Sequence, residues 1–539
     1  VDEASVDETG SGDAWSDAAW SDSEWSDAEW SDSEWSDSEW SDSEWSDSAG
    51  RQPILRAGDT CRAIATADRV ACIVDAADYF LYAKSALLQA RRRVVLIGWD
   101  VDTRISLDPR SPHDGVPDRL GDFLRWLIDN RPGLEIYVLR WSTGAFTGML
   151  RGVAPPFVQD LLTGRRLHYR TDAAHPVSAA HHQKIAVIDD QFAFCGGIDM
   201  TVDRWDTSEH LSHNEFRRGP DGEPHGPWHD VTVALDGDAA RVVASVAHDR
   251  WEAATGNALA PLVETDGPDI WPEHLDVTFS GCDVAVARTI PHYGDQPEVD
   301  EIRRLYRAAL AAARRTIYIE SQYLAAREIA EALAERLGEP DGPEIVLVLP
   351  RHADSRVERL AMDGARHKLL KLLWRADVHN RFRAYYPVTA DGEPIYVHAK
   401  VLIVDDVLLR IGSSNLNNRS LGFDSECDVA IEADPQGADD ALLRESIISI
   451  RTRLLSEHLD VSAEDFDATV AEKGSLVGAV ESLAGSGRTL EEFDHEVIGD
   501  EESILAENEL VDPEDARSTA LERLYRSVIR RGARKLLPH

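Results

Sequence analysis

Two histidines and two lysines stand out as residues able to do chemistry together. His182-Gln183-Lys184 is followed after four residues by Asp189, and after six more by Gly196-Gly197-Ile198-Asp199. A second copy, offset by 216 residues, runs His398-Ala399-Lys400, four residues, Asp405, six residues, then Gly412-Ser413-Ser414-Asn415. Lysine is scarce, with seven in 539 residues, yet two of them occupy the same place in the two strings. Paired imidazoles suit displacement at a phosphodiester. An imidazole titrates near neutrality, so one ring can attack phosphorus while the other, protonated, supplies a proton to the leaving alcohol. Two ammonium groups would stabilise the charge on the equatorial oxygens of a phosphoryl transition state. Two cations can replace a metal clamp, and the sequence holds no HExxH or equivalent carboxylate cage, so neither a metal nor a cofactor is expected.

The elements that must position these groups can be read from the same strings. Ile185–Ile188 and Val401–Val404 are apolar and partly β-branched, so each motif should open a strand. Residues two apart on a strand share a face, which puts each His beside its Lys. Asp189 lies an odd seven residues after His182, on the other face, and begins an Asp189-Asp190 turn matched by Asp405-Asp406. Two roles stay open for Asp189 and Asp405: turn former or strand anchor, and direct chemistry. Gly196-Gly197 and Gly412-Ser413 end the return strands, where a small residue would let a substrate approach the backbone. His181 points away from His182 and is expected to pack. Further runs repeat the doubling: Val94–Trp99 and Thr316–Glu320 each follow a helical stretch, and Leu134–Arg140 matches Glu344–Leu349. Strands alternating with helices predict an α/β fold of two similar halves with one active site between them. The expected organisation is a tail over 1–50, a first half over 51–270, a second over 271–460 and a helical extension over 461–539.

Composition narrows the function classes. The formal charge is −42, and residues 1–50 hold 17 acidic groups with no Lys or Arg, leaving −25 for the remainder. Such a field repels nucleic acid unless a basic patch intervenes, so no nucleic-acid partner is expected. Five scattered cysteines without a CxxC pair argue against a zinc ribbon or a disulfide framework. No apolar run approaches the ~18 residues of a membrane span. The acidic N-terminus lacks a basic n-region and an apolar h-region, so no signal peptide and a cytoplasmic location are expected. Residues 14–48 repeat a five-residue Trp-Ser-Asp unit, with Trp at 15, 20, 25, 30, 35, 40 and 45. That spacing aligns the rings in neither helix nor strand, so a disordered acidic tail is expected, either solvated or acting as a multivalent contact arm. At the other end, Leu521–Leu537 places apolar residues on one helical face and Arg523, Arg526, Arg530, Arg534 and Lys535 on the other. It can be read as a membrane-surface helix or as a packed one.

The doubled strings resemble the HKD motif of the phospholipase D superfamily, and the resemblance extends over roughly residues 50–460. Gly98-Trp99-Asp100, Arg204-Trp205-Asp206, Pro227-Trp228-His229-Asp230 and Ile319-Glu320-Ser321-Gln322-Tyr323 resemble segments of the phospholipase D enzymes themselves, with Ser321 in place of their usual Asn. The stretch from Ser414-Asn415 through Arg419-Ser420 to Glu426 resembles the end of their second motif. The resemblance implies a bilobal fold and covalent double displacement without an obligatory metal. By position it makes His182 the nucleophile and His398 the acid that later activates water. Lys184, Lys400 and Asn415 would hold the phosphate, and Asp199 matches Asn415 in place. Gly412, Ser413, Glu320 and Gln322 are carried over as substrate-binding or supporting residues. Glu426 either orients a catalytic His or ends a strand. Trp99, Trp205 and Trp228 line an apolar channel or belong to the core, with core favoured for Trp228.

The implied activity is hydrolysis of a glycerophospholipid to phosphatidic acid and the head-group alcohol, with transfer to another alcohol where one intercepts the phosphoenzyme. The expected partners are a phospholipid substrate and a transient membrane surface, and a monomer is expected. The rival readings are a cardiolipin synthase-type phosphatidyltransferase, a nuclease, and a non-catalytic scaffold built on the Trp-rich tail.

Overall fold

A computed structural model of the chain describes residues 52–110, 115–141, 165–176, 179–262, 269–354, 362–434, 440–494 and 512. The acidic tail and the basic stretch Leu521–Leu537 lie outside them. The first half comprises β1 (Ala63–Val74), α1 (Ala76–Leu87), β2 (Arg93–Gly98), α2 (Leu120–Asn130), β3 (Glu135–Trp141), β4 (Leu167–Asp172), β5 (Ile185–Ile188), β6 (Phe192–Gly196), β7 (Trp228–His229), β8 (Val231–Asp236) and α3 (Gly237–Thr255). The second comprises β9 (Phe279–Ile290), β10 (Val299–Asp300), α4 (Glu301–Ala312), β11 (Thr316–Glu320), α5 (Arg327–Gly338), β12 (Glu344–Val348), α6 (Gly364–Ala376), β13 (Phe382–Val388), β14 (Tyr396–Val397), β15 (Val401–Val404), β16 (Leu408–Gly412), β17 (Glu426–Glu432) and α7 (Ala441–Leu459). After α8 (Ala463–Lys473) and α9 (Leu476–Leu483) comes a last strand, β18 (Thr489–Glu492).

The duplication is visible in the sheet. From the centre outward the first half reads β1-β8-β6-β5-β2-β3-β4, and the second reads β9-β17-β16-β15-β11-β12-β13. Within each series the outer three strands are parallel and the inner ones antiparallel. The series join through the antiparallel pair β1 and β9, from Ala63 opposite Val286 to Val70 opposite Phe279. Two short parallel bridges also tie the halves together: Trp228-His229 to Tyr396-Val397, and His181 to Ser425. The described residues from Pro53 onward belong to one compact unit.

Strand residues alternate between two buried faces, which is why the strands read as continuous apolar runs. In β2, Val95 and Ile97 enter a core shared by both halves, while Val94 and Leu96 pack under α1 and α2. In β15, Val401 and Ile403 enter the shared core, and Leu402 and Val404 pack under α4 and α5. The long helices α3 and α7 contribute Val243, Trp251, Ile447 and Leu455 to that core.

One expectation needs correction here. The C-terminal extension is not only helical, because β18 adds an edge strand antiparallel to β13, with Leu490 opposite Pro387. Thr-Leu-Glu-Glu carries too little apolar patterning to signal a strand; the free edge of β13 supplies the reason for it. Among the described residues, no helix is long and apolar enough to cross a membrane.

Candidate active site

Both His-x-Lys pairs sit in the extended segments leading into β5 and β15, which start one residue after each lysine. Each lysine donates back to the carbonyl of its own histidine: Lys184 Nζ to His182 O at 2.9 Å, and Lys400 Nζ to His398 O. Each ring is then held by a carboxylate of the opposite half. Nδ1 of His182 lies 3.0 Å from both carboxylate oxygens of Glu426, and Nδ1 of His398 lies 2.6 Å from Asp230 Oδ2. The backbone repeats the exchange, since His182 N–H donates to Ser425 O and His398 N–H donates to His229 O. Anchoring at Nδ1 leaves Nε2 as the nitrogen available for reaction.

The four cationic and imidazole groups act on one another. Burial first, then the Lys184 and Lys400 charges, push His182 well below the usual imidazole range. Burial, Lys400, Arg204 and Lys184 do the same to His398. Lys400 is lowered to about 7, chiefly by burial. Burial raises Glu426 to about 8 and Asp230 to about 6. The rings also differ in access: 14 % of the His182 side chain is exposed, against 5 % for His398.

Asp199 accepts from Lys184 Nζ at 3.1 Å and from the Trp99 backbone N–H at 2.9 Å. The Lys184 ammonium thus faces the Asp199 carboxylate and offsets its charge. At the matching place Asn415 Nδ2 reaches Gln322 Oε1 at 3.5 Å, and the same oxygen takes Lys400 Nζ at 3.4 Å. The structure thus brings together His182, Lys184, Asp199, His398, Lys400, Asn415, Gln322 and Glu426.

Five other candidates fall elsewhere. Asp189 accepts from the backbone N–H groups of Arg91, Arg92 and Arg93, and Asp405 from those of Arg314, Arg315 and Thr316. Both carboxylates cap the start of a parallel strand, at the end of β5 or β15 remote from the histidine. They are strand anchors, not catalytic groups, as the odd offset allowed. Gly412 does not make room for a substrate: a Cβ there would meet Asp428 Oδ1 at 2.0 Å, so its own sheet fills the space. Ser413 is fully buried, and its hydroxyl donates to Glu426 and accepts from Cys427 N. It supports the carboxylate that orients His182. Glu320 lies between His229 Nε2 at 2.9 Å and His458 Nε2 at 3.0 Å, which take its carboxylate oxygens. Burial would raise its carboxyl, but the two imidazoles hold it far below its usual range.

His181 is buried against Ser425 Oγ and Asp172, a packing role. Trp205 and Trp228 belong to the core. Trp228 also stacks on Tyr396 at 4.5 Å and carries Arg204 over its ring at 4.1 Å.

A family model described as Phospholipase D matches residues 86–327 and 382–506, more than half of the chain. The chain belongs to the phospholipase D family. A model described as Cardiolipin synthase, PLD-like domain, matches residues 306–441. Phospholipase D A of Dictyostelium discoideum is 26 % identical over 72 % of this chain and 35 % of that protein. Phospholipase D alpha 2 of Brassica oleracea var. capitata is 23 % identical over 64 % of this chain and 59 % of that one. The chain therefore spans about a third to three fifths of these curated relatives. Among solved structures, phosphatidylserine synthase of Haemophilus influenzae Rd KW20 matches at 13 % identity and a TM-score of 0.49, over 71 % of this chain and 86 % of that one.

In this phospholipase D family member, two further residues, Asp230 and Arg204, act on the catalytic pairs. Asp230 is the counterpart of Glu426, yet it lies 33 residues after Gly197 while Glu426 lies only 13 after Ser413. That unequal spacing hides the equivalence, although the Trp228-His229-Asp230 segment itself is recognisable. Arg204, over Trp228, adds its charge to the burial that lowers His398 and opposes the burial that raises Asp230.

Proposed function

We propose that this chain is a phospholipase D-type phosphodiesterase that hydrolyses glycerophospholipids to phosphatidic acid and the head-group alcohol. The observation that carries the reading is the exchange of carboxylates: each imidazole is fixed at Nδ1 by the opposite half, with both ammonium groups close by. In this reading His182 Nε2 attacks phosphorus and forms a phosphohistidine. The bound phosphodiester's negative charge offsets the Lys400, Arg204 and Lys184 charges that disfavour a proton on His398. The P–O bond to the head group breaks, and the leaving oxygen takes the proton from Nε2 of His398, whose imidazolium Asp230 stabilises. Neutral His398 then removes a proton from water, the hydroxide attacks phosphorus, and His182 is released. An alcohol in place of water gives transphosphatidylation. The Lys184 and Lys400 ammonium groups offset the charge on the phosphoryl oxygens throughout, and Asn415 donates a hydrogen bond to them. The greater exposure of His182 and the shorter His398–Asp230 contact support this division of roles. The phosphatidyltransferase reading draws on the match to the cardiolipin synthase-type model over residues 306–441.

The test is a lipid panel with products identified by mass. Phosphatidic acid and free choline from phosphatidylcholine support the lipase, while cardiolipin from phosphatidylglycerol supports the transferase. His182→Ala and His398→Ala should each lower turnover on the order of 10⁴-fold or more, and the double variant little further, since the rings act as one unit. Near-native turnover in either single variant overturns the assignment.

A further inference from the structure

Behind the catalytic pairs lies a second cluster that the reaction does not use. Asp75 follows β1, His210 lies in the loop after β6, His229 is in β7 and Glu457 is near the end of α7. Their side chains are 0–7 % exposed. His229 Nδ1 is 3.3 Å from Asp75 Oδ1 and 3.2 Å from Glu457 Oε1; His210 Nε2 is 3.3 Å from Glu457 Oε1 and 3.6 Å from Asp75 Oδ2. All four side chains offer ligand atoms within 4.8 Å of one another.

Hydrogen bonding explains this arrangement poorly. His229 Nδ1 is fully buried between two carboxylates and has no well-directed hydrogen bond to either. His210 Nε2 makes one long hydrogen bond, to Glu457 Oε1 at 3.3 Å, and stands 3.6 Å from Asp75 Oδ2. A tetrahedral ion with bonds of about 2.0–2.1 Å separates its ligand atoms by about 3.3 Å; three of the four contacts lie at 3.2–3.3 Å, and the fourth, to the other Asp75 oxygen, lies at 3.6 Å. The outer nitrogens match too. A metal-bound imidazole normally gives its other N–H to a carboxylate. Here His229 Nε2 lies 2.9 Å from Glu320, and His210 Nδ1 lies 3.0 Å from Asp206. Asp206 is held in turn by Arg217, and Glu320 by His458. Asp75 adopts φ 67° and ψ 152°, a conformation left mainly to glycine, and its carboxylate also takes Ser208 Oγ.

We propose that Asp75, His210, His229 and Glu457 form a structural site for one divalent ion of the zinc class, a two-histidine, two-carboxylate tetrahedron joining the first half to α7. The ion cancels the repulsion of two carboxylates out of water, which is otherwise left to imidazolium protons. It also acts on the catalytic machinery by position, because His229 directly precedes Asp230, and Asp230 N–H reaches Asp75 Oδ1 at 3.3 Å. The site stands independently of the lipase reading, since its readout is metal content.

Because the ligands are enclosed, the ion must enter during folding. The full chain is therefore unfolded in guanidinium with a chelator, refolded with zinc or cobalt(II) or with chelator alone, desalted, and analysed for metal by mass spectrometry. We expect about one equivalent retained, a higher Tm than for the chelator-refolded protein, and a cobalt spectrum with intense visible bands of a tetrahedral site lacking sulfur-to-metal charge transfer. His210→Asn with Glu457→Gln should lose the retained equivalent. Wild-type protein that regains native circular dichroism without retaining metal overturns the proposal, as does equal retention in the double variant or an octahedral cobalt spectrum. If the double variant does not fold, stoichiometry, Tm and spectrum of the wild type decide alone.

Discussion

Lys400, Glu426 and Asp230 share one buried space, and burial drives each toward its neutral form. Glu426, raised to about 8, and Asp230, raised to about 6, keep protons that the unfolded chain releases near pH 4. Their contribution to stability is therefore present below pH 4 and is lost as pH climbs through 6 to 8. Lys400 works the other way. The unfolded chain holds its proton to about 10.4, whereas the folded one gives it up near 7. Its contribution is complete only above pH 10 and falls away toward 7. An oxyanion in the site reverses the preference of Lys400, so vanadate binding at pH 7–8 should take up protons. Calorimetry in two buffers of different ionisation enthalpy measures this, and buffer-independent heats would contradict it. Asp230→Asn should lower turnover while leaving the fold intact, because the amide cannot stabilise the His398 imidazolium; the loss should appear in kcat more than in KM.

At the scale of elements, the turns after β5 and β15 serve the sheet. Removing the Asp405 carboxylate leaves the N–H groups of Arg314, Arg315 and Thr316 without their acceptor. Asp405→Ala should reduce stability by about 1–3 kcal/mol, seen as a lower denaturant midpoint, with turnover per folded molecule unchanged. Gly197→Ala should behave in the opposite way. Its Cβ would lie 2.0 Å from Asp230 Oδ1, so the carboxylate that holds His398 must move. Activity should fall much further than in Asp405→Ala at similar stability, and equal activity in the two variants would contradict the assignment. Gly412→Ala presses instead on Asp428, which holds Arg410 and the Ser413 and Ser414 amides, and should cost stability first.

At the scale of the molecule, two halves complete each other. The shared core, the β1–β9 pair and the exchanged carboxylates leave neither half with a finished site or a closed core. Thermal unfolding should accordingly show a single calorimetric transition for the region from Pro53 onward; two separated transitions would contradict this. What sequence alone determined follows from local periodicity. The His-x-Lys spacing, the apolar runs of β5 and β15 and the repeated order of strands announce the duplication, because strand pattern and motif spacing are properties of neighbouring residues. The odd offset of Asp189 already pointed it away from His182. Tertiary structure alone decided which carboxylate meets which ring. Asp230 and Glu426 act 168 and 244 residues away from their histidines, across strands that pair only in the folded chain. It also gave Gly412 to the sheet, Ser413 to Glu426, and Glu320 to His229 and His458. Contacts of that separation leave no periodic trace along the chain.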